Sequence, residues 1–310
     1  MMSEKVCLTD VSPRDGLQNE QKQISTNEKI KLINALSEAG LPAIEVTSFV
    51  HPKLVPQMAD AEEVMKRIER YPNTKYEVLV PNEKGAERAI LVNPDQINLV
   101  VSASESHNQS NLRRGTFETL AGFKEVSNLI KREGIRLQGG IATSFGCPFE
   151  GLIPINRVLQ VIENYLEIGV NSINLADTTG MANPILVRKL VREVKNRWAN
   201  LEIHLHFHNT RGSGLANLYA GYLEGVRHFD ASLGGIGGCP FAPGASGNIS
   251  TEDTVNMLHD MDIETGINLD KLIELAQNLE NTLGHEISGQ IMKSGKTLDL
   301  HPLPITKTSP

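Results

Sequence analysis

The sequence predicts an α/β fold, a (β/α)8 TIM barrel with a C-terminal helical extension. Three observations carry that expectation. Eight short apolar, β-branched runs recur along the chain. Each is followed by a segment whose apolar residues return mostly at every third or fourth position, and the alternation occupies about 260 residues, the usual size of such a barrel. An open doubly wound sheet fits less well, because the first strand-to-helix turn carries no GxGxxG.

In order, VCLTDVS (6–12) is followed by EKIKLINALSEAG, AIEVTSF (43–49) by MADAEEVMKRIERY, KYEVLVP (75–81) by EKGAERAILV, and QINLVVSAS (96–104) by TLAGFKEVSNLIKREG. IRLQGGIATSF (135–145) then leads to NRVLQVIENYLEIG, SINLADTT (172–179) to PILVRKLVREVKNRW, LEIHLHFHN (201–209) to GSGLANLYAGYLEG, and HFDASLGGI (228–236) to STEDTVNMLHDM. Several helical segments end in glycine just before the next strand, where a left-handed residue closes a helix. A further helix is expected over NLDKLIELAQNLENTLG (268–284). The domain reading is a catalytic barrel over 1–285 and a Pro- and Thr-rich tail over 286–310, ordered only in part.

Composition narrows the function. The 310 residues are 40% hydrophobic and 22% charged, ample for a large core. A net charge of −7 disfavours nucleic acid and anionic membrane as partners, so an anionic substrate needs local arginines, lysines or a metal. Cys7, Cys147 and Cys239 lie far apart without CxxC spacing, which points to a reducing, cytoplasmic location and to neither disulfides nor a cysteine zinc site. The N-terminal MMSEKVCLTD has no leader pattern, and no apolar run reaches membrane-spanning length.

A barrel places its chemistry at the carboxyl ends of its strands. The unusual polar residues fall there: Arg14, Asp15 and Gln18 after the first run, Glu45 and Thr47 in the second, Asp177 at the end of the sixth, and His206 and His208 in the seventh. Two residues apart on a strand, His206 and His208 share one face, as two ligands of one metal require; a merely hydrogen-bonded pair of barrel histidines is the competing reading. His204 has the same parity but lies deeper, as a core histidine would.

Closure brings the first, seventh and eighth strands together, so Asp15, His206, His208 and Asn248 can converge on one ion. That mixed N/O set suits Mg²⁺, Mn²⁺ or Zn²⁺. Arg14 and Asp15 are adjacent charges in a turn and are expected to diverge, one to metal and one to substrate, where a guanidinium stabilises developing oxyanion charge; a structural ion pair on the rim is the alternative. Glu45, a carboxylate among apolar neighbours, needs a partner, Arg14 or a water. Asp177 is expected to bind substrate, orient a histidine ligand or cap the next helix. Cys239, in the glycine-rich GGIGGCPFAPGASGN (234–248), is a buried structural thiol or a reactive one on a lid over the barrel mouth.

The segments SPRDGLQNE (12–20), GLPAIEVTSFVHPKLVPQMAD (40–60), FGCPFEG (145–151), LADTTG (175–180), HFHNTRGSGLANL (206–218) and GGIGGCPFAPGASGNISTED (234–253) resemble the 3-hydroxy-3-methylglutaryl-CoA (HMG-CoA) lyase family. The resemblance implies a metal-dependent barrel that cleaves HMG-CoA to acetyl-CoA and acetoacetate. It implies that Asp15, His206, His208 and Asn248 bind a divalent cation, that Arg14 contacts the acyl-CoA substrate, that Glu45 supports the metal-side network and that Cys239 lies on a mobile loop important to turnover. Mg²⁺ or Mn²⁺ is the expected ion, Gln18 is a further candidate for substrate contact, and Arg14, Glu45, Asp177 and Cys239 are the candidate catalytic residues. A homo-oligomer, a dimer, is the expected assembly.

The chain departs from the family's usual pattern in three places. Asn209-Thr210-Arg211-Gly212 follows His208 where the family reads Asp-Thr-Tyr-Gly. Gly140 replaces a tyrosine expected to face the pocket, and SESHNQSNLRRGT after the fourth strand is unusual. These changes make a related 3-hydroxyacyl-CoA an alternative substrate. Two further functions compete with cleavage: a Claisen-type synthase of the isopropylmalate synthase kind, and a barrel that binds acyl-CoA or metal without turnover.

Overall fold

The computed structural model describes residues 5–238 and 247–300 and forms the expected closed barrel of parallel strands. The strands are β1 (Cys7–Asp10), β2 (Ala43–Ser48), β3 (Lys75–Leu79), β4 (Gln96–Ser102), β5 (Arg136–Ala142), β6 (Ser172–Asp177), β7 (Glu202–Phe207) and β8 (His228–Ala231). Their order around the barrel follows the chain, and β1 closes on β8 from Cys7↔His228 to Asp10↔Ala231. Helices α1 (Thr26–Glu38), α2 (Ala61–Arg67), α3 (Glu83–Ile90), α4 (Glu105–Leu112), α5 (Thr116–Arg132), α6 (Ile155–Glu167), α7 (Pro184–Arg197), α8 (Gly214–Leu223) and α9 (Thr251–Asp260) alternate with them, and α10 (Leu269–Leu283) follows. No helix among the described residues is long and apolar enough to cross a membrane.

The strand ends differ from the apolar runs where side chains capture the backbone. β1 stops at Asp10 because its carboxylate accepts the Ser12 N–H at 2.9 Å and the Thr251 hydroxyl at 2.6 Å. A wide π-type turn, Ser12–Gly16, follows, closed by Gly16 N–H to Val11 O at 3.1 Å. Such turns recur at functional sites because they re-aim side chains. The segment after β4, which shows no apolar period, nevertheless forms α4. Ser104 caps it, and Asn108 pins it by accepting from Ser102 N and donating to Arg114 O and Thr119 Oγ1. A small hairpin, Gly146–Cys147 with Gly151–Leu152, follows β5.

The apolar core lies between strands and helices. Leu8, Ile44, Val78, Leu99, Ile173 and Leu205 are fully buried there. Gly139 lets the Tyr165 ring lie against β5: a Cβ would stand 2.7 Å from it, and the tyrosine hydroxyl donates to Leu99 O at 2.8 Å. The barrel interior is polar instead. Asn98 on β4 donates to Glu45 on β2 at 2.9 Å, and Asn174 on β6 donates to Asp230 on β8 at 2.6 Å; each bond skips a strand and therefore crosses the interior. Past residue 285, Ile287 and Met292 are buried and Gln277 Nε2 donates to Met292 O at 2.9 Å, so this stretch packs on α10.

Candidate active site

At the carboxyl ends of the strands the π-type turn presents Asp15, β7 presents His206, and His208 sits one residue past the strand end, bridged to Asn248. The ligand atoms of Asp15, His206 and His208 lie within 4.8 Å of one another, and no other group of three or more such side chains converges among the described residues. The two imidazole Nε2 atoms face each other at 3.1 Å, and Asp15 Oδ2 is 3.9 Å from that of His208. Asn248 Nδ2 donates to Asp15 Oδ2 at 2.8 Å and to Ile236 O at 3.0 Å. Its Oδ1 is buried without a hydrogen-bond partner among the described residues. An orphaned amide oxygen beside a carboxylate and two imidazoles is a donor set that fits a divalent cation.

The electrostatics fit as well. Burial, and then His206, push the His208 pKa down to about 4, which leaves a neutral imidazole. Desolvation favours the neutral form of Asp15, yet Arg14, His206 and His208 outweigh it and hold the carboxyl well below the ordinary range. Burial also disfavours charge on His206. Its hydrogen bond to Asp230 and that carboxylate's charge override burial and raise the imidazole's pKa. His206 Nδ1 lies 3.0 Å from Asp230 Oδ2, the contact that orients a ligating histidine with its other nitrogen toward the metal.

Arg14 and Asp15 do not diverge as the adjacent charges suggest. Arg14 Nη1 donates to Asp15 Oδ1 at 2.6 Å while Nε donates to Glu45 Oε2 at 2.5 Å, so the long Arg14 side chain, leaving the π-type turn, spans both carboxylates. Glu45 thus has the arginine partner expected of it, and Asn98 takes its other oxygen. Asp177 does not cap the next helix, whose cap is Asn183. Its Oδ1 accepts from Met181 N at 2.8 Å and Ala182 N at 3.0 Å, closing the intervening turn, and burial raises its pKa to about 7. The carboxylate that meets a candidate histidine ligand is Asp230, at His206 Nδ1. Gln18 is half-buried just past the π-type turn and makes no hydrogen bond to these groups.

Cys239 lies outside the described residues, but both flanks of its segment are placed. Gly237, at φ +93°, runs so close to the site that a Cβ would stand 2.7 Å from Asp15 O and 2.9 Å from Asn248 Nδ2. Gly247 O accepts the Asn209 N–H at 2.9 Å. Asn209 Oδ1 in turn accepts from Gly214 N at the start of α8. Arg211 is exposed and spends Nη1 on the carbonyls of Thr179 and Gly180, at 2.8 and 2.9 Å, tying β6's loop to β7's. Gly140 pairs with Val100 in the barrel register, and the Cβ of any larger residue would come within 2.8 Å of Val100 Cγ2.

Asp230, Asn98 and Asn174 escaped sequence reasoning, although the signal was present. Each is a polar residue inside a barrel strand, the same pattern that singled out Glu45.

The HMGL-like family profile matches residues 5–279. The chain belongs to the HMGL-like family. Among its HMGL-like relatives, the hydroxymethylglutaryl-CoA lyase of Bacillus subtilis is 42% identical over 294 residues, covering 94% of this chain and 98% of that one. The (R)-citramalyl-CoA lyase of Chloroflexus aurantiacus is 41% identical over 302 residues, covering 94% and 95%. A solved HMG-CoA lyase from Acinetobacter baumannii, in complex with coenzyme A and 3-methylmalate, superposes with a TM-score of 0.94 at 48% identity, covering 98% and 99%. The HMGL-like barrel therefore extends over nearly the whole chain.

Proposed function

We propose that this protein is a divalent-metal-dependent carbon–carbon lyase that cleaves HMG-CoA to acetyl-CoA and acetoacetate. The convergence of Asp15, His206 and His208, with Asn248 Oδ1, unpartnered among the described residues, beside them, is the observation that carries this reading. These four residues hold the cation, Mg²⁺ or Mn²⁺. When bound, it supplies Lewis acidity toward the substrate's oxygens.

Cleavage requires the C3 hydroxyl to lose its proton and the C2–C3 bond to break. Its electron pair moves onto the thioester as an enolate, leaving acetoacetate as the ketone product, and C2 is then protonated. Arg14 sits beside Asp15, and its guanidinium makes no hydrogen bond among the described residues beyond those to Asp15 and Glu45. It stabilises the enolate oxygen, with Gln18 assisting substrate binding. Glu45 orients Arg14. Asp177, whose pKa of about 7 suits proton exchange near neutrality, takes the hydroxyl proton or relays it. Cys239, outside the described residues, returns a proton to C2.

A second reading, a lyase for a related 3-hydroxyacyl-CoA such as citramalyl-CoA, is favoured by Gly140 and by the comparable identity to the citramalyl-CoA lyase. Acyl-CoA binding is supported by the coenzyme A complex of the Acinetobacter relative. The net charge of −7 argues against nucleic acid and anionic membrane as partners, and the free thiols Cys7 and Cys147 accord with the cytoplasm. The working assembly is a homodimer, which light scattering would test.

The deciding assay incubates the protein with Mn²⁺ or Mg²⁺, a thiol reductant and either HMG-CoA or citramalyl-CoA. Acetoacetate from HMG-CoA supports the first reading, and pyruvate from citramalyl-CoA alone supports the second. Release of free CoA from acetyl-CoA plus a 2-oxo acid, without cleavage of either thioester, would replace both with a synthase.

A further inference from the structure

Alternate strands furnish the interior layers of a barrel, and here the even-numbered strands contribute Glu45, Asn98, Asn174 and Asp230. The four are joined across the interior as two amide–carboxylate pairs, and each carboxylate meets a residue at the mouth: Glu45 receives Arg14 Nε, and Asp230 faces His206 Nδ1.

The Asn98 amide cannot turn over. Its Oδ1 accepts from Gln96 Nε2 at 3.0 Å, so its NH₂ group must face Glu45 Oε1 at 2.9 Å and Glu77 Oε2 at 3.3 Å. Two buried carboxylates repel, and burial already raises the Glu77 pKa to about 7. A single donor shared between them offsets that repulsion and fixes the direction of Glu45. With one oxygen held by Asn98, the other presents a fixed acceptor to Arg14, whose Nη1 then reaches Asp15.

We infer that Asn98 is a positioning residue: by donating to Glu45 Oε1 it fixes the carboxylate that aims the Arg14 guanidinium into the active site. The kinetic consequences of this inference rest on the lyase reading, while its geometric content does not.

The test variant is Asn98→Leu, close in size and without a donor. In ¹⁵N-labelled protein the Arg14 Nε–H resonance, assigned by its loss in Arg14→Lys, should be downfield and slow to exchange in the wild type. In Asn98→Leu it should collapse into the envelope of exposed arginines. With HMG-CoA, kcat should fall at least about tenfold while KM and Mn²⁺ affinity hold within about twofold. In a Glu45→Gln background the same change should cost almost nothing further, because both act through one contact.

An unchanged Arg14 resonance in folded Asn98→Leu, or losses in kcat that multiply with those of Glu45→Gln, would overturn the inference. A purely structural role would lower Tm and leave the resonance in place. If Asn98→Leu does not fold, Asn98→Ala, smaller and equally donor-free, carries the same measurements. If the wild type cleaves no thioester, the lyase reading fails and the resonance alone decides the role of Asn98.

Discussion

His206 Nδ1 and Asp230 Oδ2 are 3.0 Å apart, and the same carboxylate oxygen accepts from Asn174 Nδ2 at 2.6 Å. Asp230 thereby fixes which imidazole nitrogen turns toward Asp15 and His208. Its replacement by asparagine preserves size and removes the charge that keeps a proton on Nδ1. Mn²⁺ affinity, read by calorimetry, should fall by about 10–100-fold, the usual effect of losing such a partner. Unchanged affinity would show that His206 is oriented by packing alone.

Two substitutions separate metal holding from turnover. His206→Ala should lose bound Mn²⁺ and activity together, since it removes one of three converging ligands. Cys239→Ser should bind Mn²⁺ like the wild type and lose turnover. A fully active Cys239→Ser enzyme would remove the cysteine from the mechanism.

Gly237→Ala tests the close approach of the backbone to the site. At φ +93°, with Asp15 O at 2.7 Å and Asn248 Nδ2 at 2.9 Å from the new Cβ, alanine must push one or both residues aside. A cost of about 1–3 kcal/mol is expected from the backbone strain. Part of it should appear as weaker Mn²⁺ binding and part as a lower Tm. A variant with wild-type metal affinity and Tm would mean that the turn adapts freely.

Glu252 makes stability depend on pH. It is fully buried beneath the Leu233–Gly235 turn, where its Oε2 accepts the Gly234 N–H at 3.0 Å, and burial raises its pKa from 4.5 to about 7. Because the folded state binds this proton more tightly than the unfolded chain, the group's contribution is full below pH 4.5 and is lost as pH rises to about 7. Glu252→Gln, which cannot ionise, should flatten the decline in Tm across that window. Parallel Tm profiles for variant and wild type would contradict this.

Alternation of apolar runs with helical spacing was enough to read the barrel, because each strand buries its outward side chains under a helix and so repeats a pattern visible in one dimension. The HxH pair was legible for the same reason, since strand parity alone puts His206 and His208 on one face. The pairing of Arg14 with Asp15 was not legible, because it depends on how the long Arg14 side chain leaves a π-type turn. Helix α4 was hidden because side-chain caps hold it rather than an apolar stripe. Asp230 and Asn98 look like isolated polar residues until closure sets Asp230 beside His206 in the strand register and carries Asn98 across to Glu45.

The polar interior gives the barrel a division of labour. Its bore, lined by groups such as Glu45, Glu77, Asn98 and Asp230, sets orientation and charge at the mouth, while the greasy sheath of Leu8, Ile44, Val78 and Ile173 beneath the helices supplies cohesion. The two compartments lie on opposite sides of a single sheet and share no side chains. Ile173→Val should therefore lower Tm by creating a small void and leave the pH–rate profile in place. Changes in the bore should move the pH–rate profile and Tm together, because they leave buried carboxylates without donors, so only the sheath lets this sequence drift in thermal tolerance without touching its catalytic character.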